Sequence, residues 1–341
     1  MSGRSLMSRS ETCIDAWRTQ IDISVIIPTY NRSASLRRCL EALARQTYPH
    51  DRFEVIVVDD GSTDDTPVVA HMSTPFHLAY IWQPNQGDAA ARNTGAQAGH
   101  GNALIFLDDD IIVEPQFIAG MANHVHNYDR IIMLGSCRTY ADACAPPFLK
   151  AMLTNAHGDQ EQADVPFTEC KSNNMAVRRE AYFAIGMMQS LMRAGSDIWC
   201  DVDFAYRAYK QGFRFYQVAQ AICYHDDYAS RDLATASRRA LVTSQRAVLL
   251  FKKYPELIHH IPMFLDKTPI AWHSDPPRLI VRKLARMAAS TRPSVWAMEH
   301  LVRLLEHSYP SPTLLRPLYR WIIGAYIYQG YRQGLREYGS P

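Results

Sequence analysis

Four short apolar runs, each closed by a polar loop, constrain this chain most: Ser24–Pro28, Phe53–Val58, Leu78–Trp82 and Ala103–Leu107. Runs that stay apolar at successive positions belong to strands covered on both faces, as in a parallel sheet wrapped by helices. Between them, Ser33–Leu43 and Ala89–Ala98 carry helical spacing, so the expected core is α/β. Further on, 131–135 and 213–218 read as strands, 180–185 and 202–210 as helices, and 221–224 as a short extended piece ending at His225. Residues 139–167 read as loop-rich with one short helix. Beyond Ser230 the pattern is helical, with Pro262, Pro269, Pro276 and Pro277 between its two halves. The expected divisions are a tail over 1–20, a catalytic-sized domain over 21–230 and a helical basic region over 231–341.

In sheets of this kind ligands bind beyond the carboxyl ends of the strands, and this chain places acids there. Asp108-Asp109-Asp110 follows the fourth run, and strand alternation sends Asp108 and Asp110 to one side and Asp109 to the other. Two carboxylates on one side suit Mg²⁺ or Mn²⁺, completed by substrate phosphates and water. The competing reading is a solvated cluster ahead of Glu114-Pro115. Three adjacent acids repel one another unless something positive sits among them. Asp59-Asp60 closes the second run; Asp59 can accept from a ribose hydroxyl or a base N–H, while Asp60, Ser62 or Thr63 can cap the next helix. Gln86–Gly95 supplies a glycine turn, a helix start with Asp88, and Arg92, which meets a diphosphate or balances the carboxylates.

Composition narrows the classes. Of 341 residues, 47% are hydrophobic and 21% charged, which excludes disorder, collagen and coiled coil. The net charge of +2 hides a division, since 231–341 carries +10 and the first 230 residues −8. Seven cysteines with no paired or metal-type spacing are expected to be reduced thiols in a cytoplasmic protein. No signal-peptide core and no apolar stretch near the roughly 20 residues of a membrane span are present. The segment 278–290 puts Arg278, Arg282, Lys283 and Arg286 on one arc and Ile280, Val281, Leu284, Met287 and Ala288 on the other. Either its cations and the aromatic tail (Tyr319, Trp321, Tyr326, Tyr328, Tyr331) meet the anionic inner face of a membrane, or its apolar arc packs on the protein and its cations face water. No nucleic-acid-binding motif is present.

Taken together, Ser24-Val25-Ile26-Ile27-Pro28-Thr29-Tyr30-Asn31, Val57-Val58-Asp59-Asp60-Gly61-Ser62-Thr63-Asp64, Ala91-Arg92-Asn93-Thr94-Gly95 and Leu107-Asp108-Asp109-Asp110 resemble the serial motifs of family 2 glycosyltransferases, in that family's order. The likeness continues through Asn173–Arg179, Asp201–Arg207 and Gly212 to His225, about 200 residues. It implies a GT-A fold: a Rossmann-like mixed sheet flanked by helices, here with a helical C-terminal extension. It also implies a nucleotide-diphosphate sugar donor, with UDP the usual nucleotide. Pro28, Thr29, Tyr30, Asn31, Arg32, Asp59, Asp60, Asp88, Arg92, Asp108 and Asp109 would bind that donor. Asp108 and Asp110, with His225, would hold Mn²⁺ or Mg²⁺.

By the same resemblance Asp201 is the catalytic base of an inverting transfer to a hydroxyl of a glycan, lipid-linked or small-molecule acceptor, with Asp203 the rival base. Asn173, Asn174, Arg178, Trp199 and Asp203 would line the sugar or acceptor pocket, unless Arg178 pairs with a carboxylate. One departure stands out: Cys200 occupies the position of the family's usual Glu, which implies either an unusual acceptor or an acceptor-positioning role moved to Asp197 or Asp203. A sugar-phosphate nucleotidyltransferase would want a Gly-rich basic loop after the first strand, and a dehydrogenase Gly-x-Gly-x-x-Gly; neither is present. A processive synthase is disfavoured by the missing Gln-x-x-Arg-Trp motif and spanning helix. A catalytically degenerate scaffold of the same fold is the non-enzymatic alternative.

Overall fold

The computed structural model describes residues 21–125, 128–140, 145–153, 162–192, 198–226 and 231–341. They form two units, the first comprising 1–138 with 155–226 and the second 139–154 with 227–341.

The first unit is built on a nine-stranded mixed sheet. Its strands are β1 (Ile23–Thr29), β2 (Phe53–Asp59), β3 (His77–Trp82), β4 (Ala103–Leu107), β5 (Ile111–Val113), β6 (Ile131–Thr139), β7 (Gln162–Ala163), β8 (Asn174–Arg178) and β9 (Arg214–His225). The order is β3-β2-β1-β4-β8-β6-β9-β5, with β7 beside β9. β3, β2, β1 and β4 are mutually parallel, whereas β8 runs antiparallel to β4 and β5 antiparallel to β9. β1, β2 and β4 are buried along their whole length, the physical counterpart of their unbroken apolar sequence.

Helices α1 (Ser33–Leu43), α2 (Thr66–Ala70), α3 (Asp88–Ala98), α4 (Phe117–Val125), α6 (Arg179–Ile185) and α7 (Cys200–Lys210) belong to this unit, and α5 (Pro147–Met152) to the second. Leu36, Leu40 and Leu43 of α1 pack with Val25, Ile27, Val55 and Val57 in the main core, which Phe117 and Met121 of α4 extend. Ala91 of α3 packs with Ile56 and Val58 in a separate cluster. α3 lies close on the sheet because Gly95 has no side chain; a Cβ there would stand 2.4 Å from Ile26 Cγ2 and 3.2 Å from Val58 Cγ2. That close approach brings Arg92, one turn earlier, to the end of β4.

Three local expectations are corrected. β4 ends at Leu107, and Asp108–Asp110 form a turn closed by the Ile111 amide on the Asp108 carbonyl (3.2 Å), so strand alternation does not apply to them. Neither Ser62 nor Thr63 caps α2; Asp64 accepts from the Thr66 amide and hydroxyl (3.0 and 2.5 Å) and also from the Ser33 amide that opens α1 (3.1 Å). The pieces 213–218 and 221–224 are one continuous strand, β9.

The second unit contains α5, α8 (Leu233–Lys253), α9 (Pro277–Ala289), α10 (Arg292–Ser308) and α11 (Pro312–Tyr338). α11 carries buried residues on all sides because the other helices surround it. Leu315, Tyr319 and Ile322 share a core with Val302 of α10 and Phe148 and Ala151 of α5, and Tyr331 packs edge-on to Phe251 of α8 with ring centroids 6.1 Å apart. Tyr319 and Tyr331 are thus interior, not interfacial, residues. α9 splits its cationic arc: Lys283 is 4% exposed and pairs with Asp275 and Arg286 turns to Asp266, while Arg278 and Arg282 stay exposed and Val281, Leu284 and Met287 face outward. These carboxylates pull Lys283 and Arg286 inward more strongly than the short apolar arc can compete for the same space. No helix among the described residues is long and apolar enough to cross a membrane.

Glycines set the approach of α11 to α8. A Cβ at Gly330 would stand 2.1 Å from the Leu241 carbonyl oxygen, and one at Gly334 2.2 Å from that of Gln245. At Gly324 the obstacle is the Arg286 guanidinium, 2.6 Å away at the end of a long side chain. Alanine gains about 1 kcal/mol of helix propensity at any of these positions. Overpacking against rigid backbone costs about 1–3 kcal/mol. Gly330→Ala is therefore expected to lower the thermal midpoint, while Gly324→Ala leaves it unchanged or raises it, both read by thermal denaturation.

Candidate active site

The sheet register assembles the acids. Thr29 lies opposite Asp59, and Asp59 opposite Trp82, so the ends of β1, β2 and β3 are level. The β1–β4 ladder ends at Ile26 and Phe106, just before Pro28, which has no N–H to donate. The strands part there, and the Asp108–Asp110 turn fills the gap. On its other side, Leu107 lies opposite Asn174 and Ile111 opposite His225. Asp110 therefore meets His225, with Oδ1 3.2 Å from Nε2, and the Asp226 amide donates to the Asp110 carbonyl at 3.0 Å.

Each acid of the turn has a positive or hydroxyl partner. Arg92 Nη2 donates to Asp108 Oδ1 at 2.5 Å. Arg32 Nη1 bridges Asp109 Oδ1 at 3.1 Å and Asp110 Oδ2 at 2.8 Å, and the Thr29 hydroxyl donates to Asp109 Oδ2 at 2.8 Å. Burial raises the Asp108 carboxyl, against the pull of Arg92. Burial likewise pushes Asp109 up to about 7 although Arg32 opposes it. Burial also acts on Asp110, but His225 and Arg32 outweigh it and hold that carboxyl below its ordinary value. Among the described residues Asp110 Oδ1 is buried without a donor in hydrogen-bonding geometry, and its near neighbour is the His225 ring nitrogen.

The first two motifs clasp each other. Asn31 takes the left-handed conformation (φ 53°), which suits a short polar side chain that bonds locally. Its amide donates to Ser62 Oγ at 2.8 Å, and its Oδ1 accepts from the Thr63 amide at 2.7 Å. Asp59 is fully buried and accepts from the Ser62 amide and the Tyr80 hydroxyl, both at 2.7 Å. Asp60 accepts from Gln83 Nε2 (2.7 Å) and from the amides of Gln86 and Gly87 (2.9 and 2.8 Å), so it staples the loop that leads into α3. Tyr30 is 49% exposed beside this clasp, and Asp88 is exposed at the start of α3.

Asp201 opens α7 after Trp199 at the N-cap, and its Oδ1 accepts from the Val202 amide at 2.8 Å. Burial pushes its carboxyl up to about 6, against the Val202 amide, Arg92 and Lys171, while Asp108 adds to the rise. Arg92 in turn feels Asp108, Asp88 and Cys200. Arg92 thus couples the end of β4 to the start of α7.

Other expected residues are placed differently. Asp203 is fully buried and pairs with Arg207 Nε at 2.8 Å, while the Arg207 guanidinium also donates to the carbonyls of Ile185 and Met187, both at 2.6 Å; the cluster ties α7 to the end of α6. Arg178 stands opposite Ala103, at the far end of β4 from Asp108, and pairs with Asp129 at 2.6 Å. An antiparallel strand that enters at the acidic edge with Asn174 must leave at the opposite edge, which removes Arg178 from the pocket. Asn174 donates to the Gly135 carbonyl at 3.0 Å, whereas Asn173 Oδ1 is buried with no partner among the described residues. Asp197 lies outside the described residues. Sequence reasoning missed Tyr80, Gln83 and Lys171, which lie outside the strand-end acid motifs.

No group of three or more His, Cys, Asp or Glu among the described residues is arranged around a metal position as the side chains stand. The donor chemistry nonetheless fits a hard divalent ion: a buried carboxylate oxygen without a donor faces an imidazole nitrogen, with the Asp108 carboxylate in the same turn.

Validoxylamine A glucosyltransferase of Streptomyces hygroscopicus subsp. jinggangensis is 39% identical over 135 residues, which cover 38% of this chain and 32% of that protein. Glycosyltransferase AglE of Haloferax volcanii is 42% identical over 102 residues, 28% of this chain and 33% of that one. Chondroitin synthase of Escherichia coli is 26% identical over 269 residues, 68% of this chain and 38% of that one. The chain thus spans about a third of the length of these curated relatives. Among solved structures, mannosyltransferase PcManGT from Pyrobaculum calidifontis, in complex with GDP-Man and Mn²⁺, superposes with a TM-score of 0.55 at 21% identity, covering 91% of this chain and 87% of that one. The mixed sheet with its flanking helices is a GT-A fold. Residues 24–190 match the family model described as glycosyl transferase family 2, and that region of the chain belongs to the family.

Proposed function

We propose that this chain transfers a sugar, with inversion, from a nucleotide-diphosphate donor, UDP first, to a hydroxyl of a glycan, lipid-linked or small-molecule acceptor. In this reading Asp201 is the general base, and Asp108, Asp110 and His225 hold Mg²⁺ or Mn²⁺. One observation carries it: Arg92 is paired with Asp108 and also acts on the Asp201 carboxyl, which burial raises and the Val202 amide opposes, so the acid turn and the start of α7 share a counter-ion. The glucosyltransferase relative and the GDP-Man and Mn²⁺ content of the PcManGT structure support the donor class and the metal. When bound, the ion would neutralise charge developing on the leaving diphosphate.

The chain's own groups do the rest. An acceptor hydroxyl has a very high pKa, and a carboxylate near its oxygen takes the proton as the new bond forms. Asp201, raised to about 6, remains mostly ionised at neutral pH and is a stronger base than an ordinary aspartate. The Val202 amide and the N-terminus of α7 favour its anionic form. Tyr30 offers an exposed ring beside the Asp59 loop for a nucleotide base.

Asp201→Asn is expected to lower kcat by about 10²–10⁴ with donor affinity nearly unchanged. A base must be unprotonated to act, so kcat of the native chain should fall as pH drops through about 6. Full turnover in Asp201→Asn, or a profile flat down to pH about 4, would remove the base assignment.

Donor and metal are tested by thermal shift with UDP-, GDP- and dTDP-sugars. A UDP-sugar with Mn²⁺ should raise the midpoint most, because a ligand that binds only the folded state stabilises it. Chelation by EDTA or Asp110→Asn should erase the metal-dependent part. A protein that binds the nucleotide but never hydrolyses or transfers the sugar would be a scaffold instead.

A further inference from the structure

Two consecutive helices of the second unit turn apolar and cationic side chains outward together. Val281, Leu284 and Met287 of α9 are 65%, 39% and 49% exposed, and Trp296, Leu301 and Leu304 of α10 are 62%, 43% and 67% exposed. Single exposed apolar residues are ordinary, but a run of six on adjoining helices is an unpartnered surface. The charge of the same stretch is one-sided. Arg278, Arg282, Arg292 and Arg303 are exposed.

No acid between Met263 and Arg316, all of which is described, is exposed: Asp266 is buried and Asp275, Glu299 and Glu306 are half-buried, each with a partner inside the unit. Asp266 takes Lys267 at 2.6 Å and Arg286 at 3.4 Å, and Asp275 takes Lys283 at 2.5 Å. Glu299 and Glu306 accept the hydroxyls of Tyr326 and Tyr319 of α11 at 2.8 and 2.6 Å. Arg282 stands 3.9 Å from Asp266 and still leaves its side chain 67% exposed.

We infer that the α9–α10 face docks on the surface of an anionic lipid bilayer. Its apolar side chains enter the boundary between headgroups and acyl chains, and its arginines meet lipid phosphates. The combination of a helix with low overall hydrophobicity, arginines and outward Trp and Leu is what an interfacial helix presents. Guanidinium groups pair with phosphate through two parallel hydrogen bonds, which favours Arg over Lys at such a surface. Trp296 packs against the tilted His300 ring with centroids 4.0 Å apart and keeps a broad amphipathic ring outward, the kind of side chain that settles at headgroup level.

Charge decides between this occupant and a second copy of the chain. A self-complementary interface would set the same arginines against one another with no exposed acid to answer them. A nucleic acid would satisfy the arginines but leave Val281, Met287 and Leu304 without a partner. The inference is independent of the proposed sugar transfer, since vesicle binding needs neither donor nor base.

The full-length chain is sedimented with vesicles of phosphatidylcholine alone and of phosphatidylcholine with about one third phosphatidylglycerol. It should follow the anionic vesicles, less so at high salt. Val281→Glu with Leu304→Glu should weaken that binding at least about tenfold. Arg278→Ala or Arg303→Ala should each weaken it about fivefold, with unchanged circular dichroism and nucleotide-sugar affinity. Should the glutamate pair fail to fold, Val281→Ser with Leu304→Ser gives the same reading. Equal binding to neutral and anionic vesicles, or none to either, overturns the inference. So does native-like vesicle binding by the glutamate or serine pair, tighter binding of duplex DNA or RNA than of vesicles, or a dimer that the glutamate pair disperses.

Discussion

Three carboxylates in consecutive positions at the end of a buried strand are tolerated because two arginines from other elements answer them. Arg32 arrives from the loop after β1 and Arg92 from α3, and each donates to the Asp108–Asp110 turn. Without them the like charges would drive one another toward protonation, and burial would add to the effect. The pairs therefore fix more than charge. Removing either arginine would leave a buried carboxylate uncompensated, a larger cost than the net stabilisation the intact pair provides. The β1 loop and α3 are held to the end of β4 by this requirement, and the close approach of α3 at Gly95 serves the same end.

The arrangement also divides the three acids by role. Asp109 is spent on Thr29 and Arg32 and sits closest to neutrality, at about 7. Asp110 is kept ionised by His225 and Arg32 and retains an oxygen with no donor in hydrogen-bonding geometry. The edge as a whole remains acidic, since Asp59, Asp60, Asp108, Asp109, Asp110 and Asp201 outnumber Arg32, Arg92 and Lys171. A diphosphate approaching such an edge is repelled unless an added cation accompanies it or an arginine leaves its carboxylate for the phosphates. The first course keeps the arginine staples in place, a physical argument for a divalent ion that does not depend on any relative.

How much of this was legible in the sequence depended on what each residue's neighbours were. β1, β2 and β4 could be read because strands covered on both faces select β-branched runs whatever surrounds them, and α1 begins and ends where its periodicity does. β5 and β8 were not read as strands. The first has three residues, and the second, Asn-Met-Ala-Val-Arg, is held by pairing with β4 and β6. Among the site residues, Asp59 and the Asp108–Asp110 turn were visible as strand-end acids. Arg92 was visible as a group that could balance those carboxylates, whereas Arg32 as a counter-ion was foreseeable only as a need for positive charge. Asp203 was misplaced toward the pocket although Arg207, four residues on, already offered it a partner on the same helix face. For Arg178 the second of the two readings holds, pairing with a carboxylate, because strand direction, not sequence distance, decides which edge a residue reaches.

The same lesson governs the second unit, where hydrophobic arcs alone gave the wrong orientation. α9 has an apolar arc and a cationic arc, and treating water as the only partner for charge sends the cations outward. Lys283 and Arg286 instead find Asp275 and Asp266, while the acids of α10 take the tyrosine hydroxyls of α11. Each acid paired within the unit removes a negative charge from this surface, and Arg278, Arg282, Arg292 and Arg303 are left facing outward beside the apolar side chains of α9 and α10. Polar satisfaction inside the helical unit and the cationic, apolar character of its exterior are therefore two consequences of one set of contacts.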